Sequence, residues 1–161
     1  MAENTSTQTL DHIGLLGHEG TYTVTTGHQL CLFTGPLYFI YKIATTIRLA
    51  KELSARFKSN RFVPVYWLAS EDHDFEEINH FNTSHGTGRW ETAQKGAVGR
   101  FATKELHRVW PEVQSILGSS ENGIQLAELF REAYLNHSTL SHATRYLVNA
   151  LFGDYGVVTL D

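Results

Sequence analysis

The stretch that decides the fold is Thr25-Thr26-Gly27-His28-Gln29-Leu30-Cys31-Leu32-Phe33-Thr34-Gly35-Pro36-Leu37-Tyr38-Phe39-Ile40-Tyr41-Lys42. It opens as the end of a β-branched and aromatic run, Tyr22 to Thr26, which predicts a strand. Gly27 is expected to break that strand. Thr34-Gly35-Pro36 then reads as a helix start, with a hydroxyl or glycine at the cap and proline in the first turn. Leu37, Ile40, Ala44, Ile47, Ala50 and Leu53 recur every three or four residues and predict one buried stripe on a helix ending near Phe57. A strand, a glycine-punctuated loop and a helix in this order build a small-molecule site. The loop leaves the carboxyl end of the strand, and the helix N-terminus turns backbone N–H groups toward it.

The next run, Phe62 to Ala69, is almost unbroken in its apolar character. That pattern suits a strand covered on both faces, as in a parallel sheet. Its proline, Pro64, belongs near the start or at an edge. Strand, helix and strand within this length predict a right-handed βαβ unit. The second strand empties directly into Ser70-Glu71-Asp72-His73-Asp74-Phe75-Glu76-Glu77-Ile78-Asn79. Both strand ends therefore lie at one edge of the sheet, and their loops can face one another. The fold class is α/β, a parallel sheet with flanking helices.

Before this core, Met1 to Gly20 is weakly patterned, with a short helical turn expected near Leu10. After it, His80 to Thr103 is spotted with Gly86, Gly88, Gly96 and Gly99 and predicts a hairpin within an irregular, β-rich insert at about 80–103. Lys104 to Leu117 and Gly123 to Asn136 carry helical spacing, the latter with Leu126, Leu129, Phe130 and Ala133 inward. Ser141 to Phe152 predicts a third helix with Ala143, Leu147, Ala150 and Leu151 inward. Gly153 to Gly156 is a turn, and Val157 to Leu160 a final strand. The whole chain, 1–161, reads as one partial core domain, because ligand loops normally begin where this last strand stops.

Composition narrows the class. With 161 residues the chain can bury one real core. A net charge of −4 makes no general electrostatic bid for nucleic acid or anionic lipid. No apolar run reaches the roughly 18 residues of a membrane span, and Met1 to Leu10 lacks the features of a secretory signal. The single cysteine, Cys31, excludes an internal disulfide and fits a reducing cytoplasm.

Two loops carry the candidate chemistry. Thr26, Gly27, His28 and Gln29 can place backbone and side-chain donors on a ligand, or can form an ordinary strand-to-helix turn; their spacing is neither a phosphate loop nor a dinucleotide fingerprint. Thr34 and Gly35 can hold an anion or simply cap the helix. Glu71, Asp72, His73 and Asp74 put three carboxylates and an imidazole in four residues. If partly enclosed, they desolvate and repel one another, which suits proton transfer or amine recognition. The plainer alternative is a solvated loop in which Asp74 caps a helix starting near Phe75. The cluster lacks a recognised metal-ligand spacing, and no metal is expected. Tyr38, Tyr41 and Lys42 lie in the first helical turns, within reach of a ligand, although Tyr41 also suits the core. Cys31, between Leu30 and Leu32, reads as a buried small hydrophobe rather than a nucleophile. His12, His18, His85, His107, His137 and His142 are scattered surface positions, and Trp67, Trp90 and Trp110 are packing residues.

Taken together, these stretches resemble one family. Thr26 to Gln29, Leu32 to Tyr38 and Tyr41-Lys42 are similar to the signature near the start of the bacillithiol biosynthesis cysteine-adding enzymes. Pro64 to Asn79 resembles their second signature in order and spacing, and Leu151 to Asp161 a third segment. The resemblance implies a Rossmann-like core and a ligase that joins L-cysteine to glucosaminyl malate. For such a reaction Asp72, His73 and Asp74 are the expected catalytic residues, binding the amine and taking its proton. Thr26, Gly27, His28, Gln29, Thr34, Gly35, Tyr38, Lys42, Glu71 and Asn79 are the expected substrate contacts. Family members are several times longer, dimerise through a coiled coil absent here, and are associated with a nucleotide, ADP or ATP, outside the core cleft. The chain is thus expected to be a fragment with little independent activity and a sheet edge prone to association. It departs from many relatives at His28, where they carry Gln, and at Cys31, where they carry a small residue. A nucleotide-dependent transferase or hydrolase using the same cleft, and a non-catalytic small-molecule-binding fragment, are the alternatives.

Overall fold

The computed structural model describes residues 5–83 and 86–161; His85 lies outside them. In chain order the elements are α1 (Thr7–Leu15), β1 (Thr21–His28), α2 (Tyr38–Arg56), β2 (Arg61–Leu68), α3 (Phe75–Ile78), β3 (His80–Thr83), β4 (Gly86–Arg89), α4 (Trp110–Leu117), α5 (Glu121–Asn136), α6 (Leu140–Phe152) and β5 (Val158–Leu160). They fall into two compact units. The first holds the described residues up to His28, Pro36–Leu68 and Val148–Asp161; the second holds Gln29–Gly35 and Ala69–Leu147. Among the described residues no helix is long and apolar enough to cross a membrane.

The first unit is the Rossmann-like α/β core. Its sheet has the order β1-β2-β5, all parallel. β2 is central because it is the most apolar run: Val63, Pro64, Val65, Tyr66 and Leu68 are buried. Alternation sends these side chains to two faces. Tyr66 meets Phe39 of α2 edge to face at 5.6 Å on one side. Val63 and Val65 cluster with Val158 on the other, where Leu15 of α1 packs on them. α1 is a full helix rather than the expected short turn. Ser6 caps it through Thr9 N–H at 3.1 Å and also donates to Gly153 O at 2.5 Å, anchoring the N-terminal segment.

Several expectations shift here. β1 runs through Gly27 to His28, so Gly27 does not end it. It pairs with Trp67, and a Cβ at that point would lie 3.0 Å from the Trp67 ring. Glycine makes room for the indole while the ladder continues. Trp67 itself is 45 % exposed and is not a core residue. Pro64 sits in the middle of β2, one residue before the pairing with β5 begins at Val65. The strand has no β5 neighbour at that point, which is the local edge a proline requires. α2 starts at Tyr38, after Thr34-Gly35-Pro36, and no side chain caps it. Its buried face is Phe39, Ile43, Thr46 and Ala50, about one residue out of phase with the expected stripe; Leu37 and Ala44 are exposed.

The second unit is built on aromatic packing. The Phe75 ring lies 5.2 Å from both Trp90 and Phe101. The expected hairpin is β3 paired antiparallel with β4. The single helix expected over 104–117 divides into a 3₁₀ turn, Thr103–Arg108, and α4, because Pro111 cannot continue a helix but suits a first turn. α5 buries Gly123, Phe130, Ala133 and Tyr134, whereas Leu126 is exposed. α6 buries Leu140, Ala143, Thr144, Leu147, Val148 and Phe152; Ala150, expected inward, is exposed.

Candidate functional site

β1 and β2 end side by side, with His28 opposite Leu68. Each chain then leaves the same edge of the sheet, into Gln29 and Ala69 respectively. Within the first unit, four of the expected residues converge at the end of β1. Lys42, from the second turn of α2, donates to Gly27 O. Its ammonium lies 5.3 Å from the centre of the Tyr38 ring, and Tyr38 lies 6.1 Å from the His28 ring. The Phe39 ring lies edge-on to His28 at 6.0 Å. Tyr66 Oη donates to His28 O at 3.5 Å. Lys42 is thereby a fixed, half-buried cation beside an exposed tyrosine. Thr26 is half-buried one residue before this group.

Within the second unit, the two loops are tied together directly. Gln29 Nε2 donates to Asp72 Oδ2 at 3.0 Å and to Glu77 Oε2 at 2.8 Å. Asp72 Oδ1 accepts Asp74 N–H at 3.0 Å. The Gln29 hydrogen bond, helped by the Asp74 N–H, holds the Asp72 carboxyl below the usual carboxylate range. Asp72 is therefore a persistent anion. Glu71, His73 and Asp74 are exposed, so the mutual desolvation expected of an enclosed cluster does not arise. Asp74 does stand at the start of α3, but its side chain makes no capping bond there. Asn79 is buried; its amide donates to Glu76 at 3.4 Å and its Oδ1 meets the His80 ring at 3.2 Å.

Two further segments shape these loops. Val98 N–H donates to Asp72 O at 2.8 Å and Gly99 N–H to Ser70 O at 2.9 Å, so the loop after β2 is pinned by a distant turn. The turn at Leu32–Thr34 carries positive φ at Phe33 (49°) and Thr34 (68°), followed by Gly35 (51°). Thr34 and Gly35 thus belong to a left-handed turn that precedes α2, and not to its cap. Cys31 lies against Gly35 and is half-buried. Burial, with the Glu77 carboxylate second, pushes its thiol up to about 11. A thiol of that kind is a poor nucleophile. Its alkylation by iodoacetamide at pH 7.5 is expected to be on the order of 100-fold slower than that of an unstructured cysteine peptide, in proportion to the thiolate present. Equal rates would show that the thiol is neither buried nor shifted.

Glu77 and Val98 were not singled out from the sequence, and Gly99 was read only as one of the glycines of an irregular insert. Glu77 had a signal: it follows Asp72 within the same acidic segment. Val98 and Gly99 had none, since their role comes from contacts made more than twenty residues away.

Residues 1–161 match the family described as bacillithiol biosynthesis BshC, N-terminal Rossmann-like domain. The chain is 55% identical over 153 residues to the protein named "Putative cysteine ligase BshC" in Flavobacterium psychrophilum, covering 95% of this chain and 29% of that protein. The protein of the same name in Flavobacterium johnsoniae is 51% identical over 156 residues, covering 97% and 30%. The one in Heliobacterium modesticaldum is 36% identical over 169 residues, covering 99% and 30%. The chain spans less than a third of the length of these relatives. With a parallel Rossmann-like core and a match along its whole length, the chain belongs to the bacillithiol biosynthesis BshC family, in the N-terminal Rossmann-like domain.

Proposed function

We propose that this chain supplies part of the cleft of a cytoplasmic ligase that joins L-cysteine to glucosaminyl malate in bacillithiol biosynthesis. The observation that carries this reading is Gln29, which bridges Asp72 and Glu77 and so unites the loops that follow β1 and β2. The names of the relatives support the ligase class.

Amide formation requires a neutral amine and an activated carboxyl. The amine nitrogen attacks the acyl carbon, the new C–N bond forms, the leaving group departs with its electron pair, and the amine gives up a proton. Asp72, held ionised by Gln29, suits the binding of the incoming ammonium rather than the removal of its proton. His73 is assigned the proton, because imidazole accepts and releases protons near neutrality. Asp74 and Glu71 add negative charge that favours the cationic amine. In the second unit Thr34 and Gly35, with Gln29 and Asn79, are assigned to an anionic portion of a substrate; in the first unit Lys42 is assigned to an anion, with Thr26, Gly27, His28 and Tyr38 beside it. The family resemblance implies a nucleotide, ADP or ATP, held outside the core cleft. No step is therefore routed through it. The dimeric state is proposed for the longer family members and not for this chain alone.

The test is genetic. A strain lacking its complete family enzyme is supplied with that enzyme carrying alanine at the position of Asp72 or of His73. Bacillithiol is expected to vanish while the protein accumulates and melts normally. Full thiol levels in either strain would remove these assignments.

A further inference from the structure

We infer that Tyr134 is a positioning residue whose buried hydroxyl fixes the left-handed turn at Phe33 and Thr34 in the shape that presents Thr34 and Gly35 to a ligand. The inference rests on the proposed role of that turn in holding an anionic substrate group. Tyr134 lies on α5, about a hundred residues from the turn, and is fully buried. Its Oη accepts Phe33 N–H at 2.8 Å and lies 3.4 Å from Cys31 O, to which it donates. One hydroxyl thus ties both ends of the Cys31–Phe33 segment. The Phe33 ring is held too, at 4.7 Å from Tyr134, 5.4 Å from Phe130 and 5.0 Å from Phe81.

The turn needs such a hold. Left-handed φ is unusual for a phenylalanine and more so for β-branched Thr34. Two such residues in succession persist only where the surroundings over-determine them. Within the turn the Phe33 N–H is taken by Tyr134 Oη and the Gly35 N–H by Leu32 O at 2.7 Å, which closes the turn on itself. Burial pushes the Tyr134 hydroxyl well above its ordinary range, so it remains a neutral donor and acceptor across physiological pH.

The experiment compares this chain with its Tyr134→Phe variant, which keeps the ring and loses only the hydroxyl. Amide hydrogen exchange and titration with L-malate are followed by NMR. The Phe33 amide is expected to exchange at least about tenfold faster in the variant, while Val65 and Tyr66 amides keep their rates. Malate affinity is expected to fall about tenfold. An unchanged Phe33 rate would overturn the inference, as would a faster rate with malate affinity intact. If the unmodified chain does not bind malate, the ligand reading of the turn falls, and the exchange result alone decides the clamp. Should Tyr134→Phe fail to fold, the unmodified chain decides. A nuclear Overhauser contact between the Tyr134 hydroxyl proton and the Phe33 amide is expected, and its absence would overturn the clamp.

Discussion

Gly35→Ala is expected to cost the second unit roughly 3–5 kcal/mol, from backbone strain and overpacking together. Gly35 adopts φ 51° and ψ −142°, a combination open only to glycine. A Cβ there would also lie 2.3 Å from the Cβ of Cys31 and 3.1 Å from its sulfur. The two effects are separable. Cys31→Gly in the same background removes the atom that is struck and leaves the backbone strain. The double variant should therefore recover part of the lost stability, but not all of it. Urea denaturation of Gly35→Ala, the double variant and the parent measures this. A Gly35→Ala chain as stable as the parent would mean that the turn has another shape.

Gly99→Ala is the second large effect, about 2–4 kcal/mol by overpacking. Its Cβ would meet the Ser70 Cβ at 2.4 Å, the Ser141 Oγ at 2.5 Å and the Ser70 Cα at 2.8 Å. Ser70 backbone cannot retreat cheaply, because it follows β2 directly and its carbonyl accepts Gly99 N–H. Displacing that turn also strains the Val98 N–H bond to the carbonyl of Asp72. Hydrogen exchange should then show the segment 69–74 opening ahead of β2. Uniform loss of protection across the chain, or none, would mean that Gly99 does not pin the loop.

The core was legible because its signals are local. The unbroken run from Phe62 marked a doubly covered strand, and β2 is the central strand. The β-branched run from Tyr22 marked its neighbour, and the loops at one edge followed from the parallel pairing. What was not legible depends on partners distant in sequence. Gly27 looked like a strand breaker because glycine alone does not reveal an indole across the ladder. The α2 stripe was misphased because Leu37 counted as apolar although nothing in its own unit covers it. Pro111 was passed over because helical spacing on both sides concealed the break. Within the site, the acidic run was visible and so were the donors after β1. Their union was not, because Gln29 and Asp72 are 43 residues apart. The ionisation of Asp72 is a property of that hydrogen bond rather than of the carboxylate cluster.

The loops after β1 and β2 form one site only if Gln29 holds Asp72, and the titration of the Asp72 carboxyl tests this most directly. Its depressed value means that the hydrogen-bonded form adds stability above the unfolded carboxylate's range and loses it as pH falls through the folded value. Carbon-detected NMR of this chain should place Asp72 below the ordinary aspartate range, and Gln29→Leu should raise it toward that range. An Asp72 that titrates identically in both would contradict the union of the two loops.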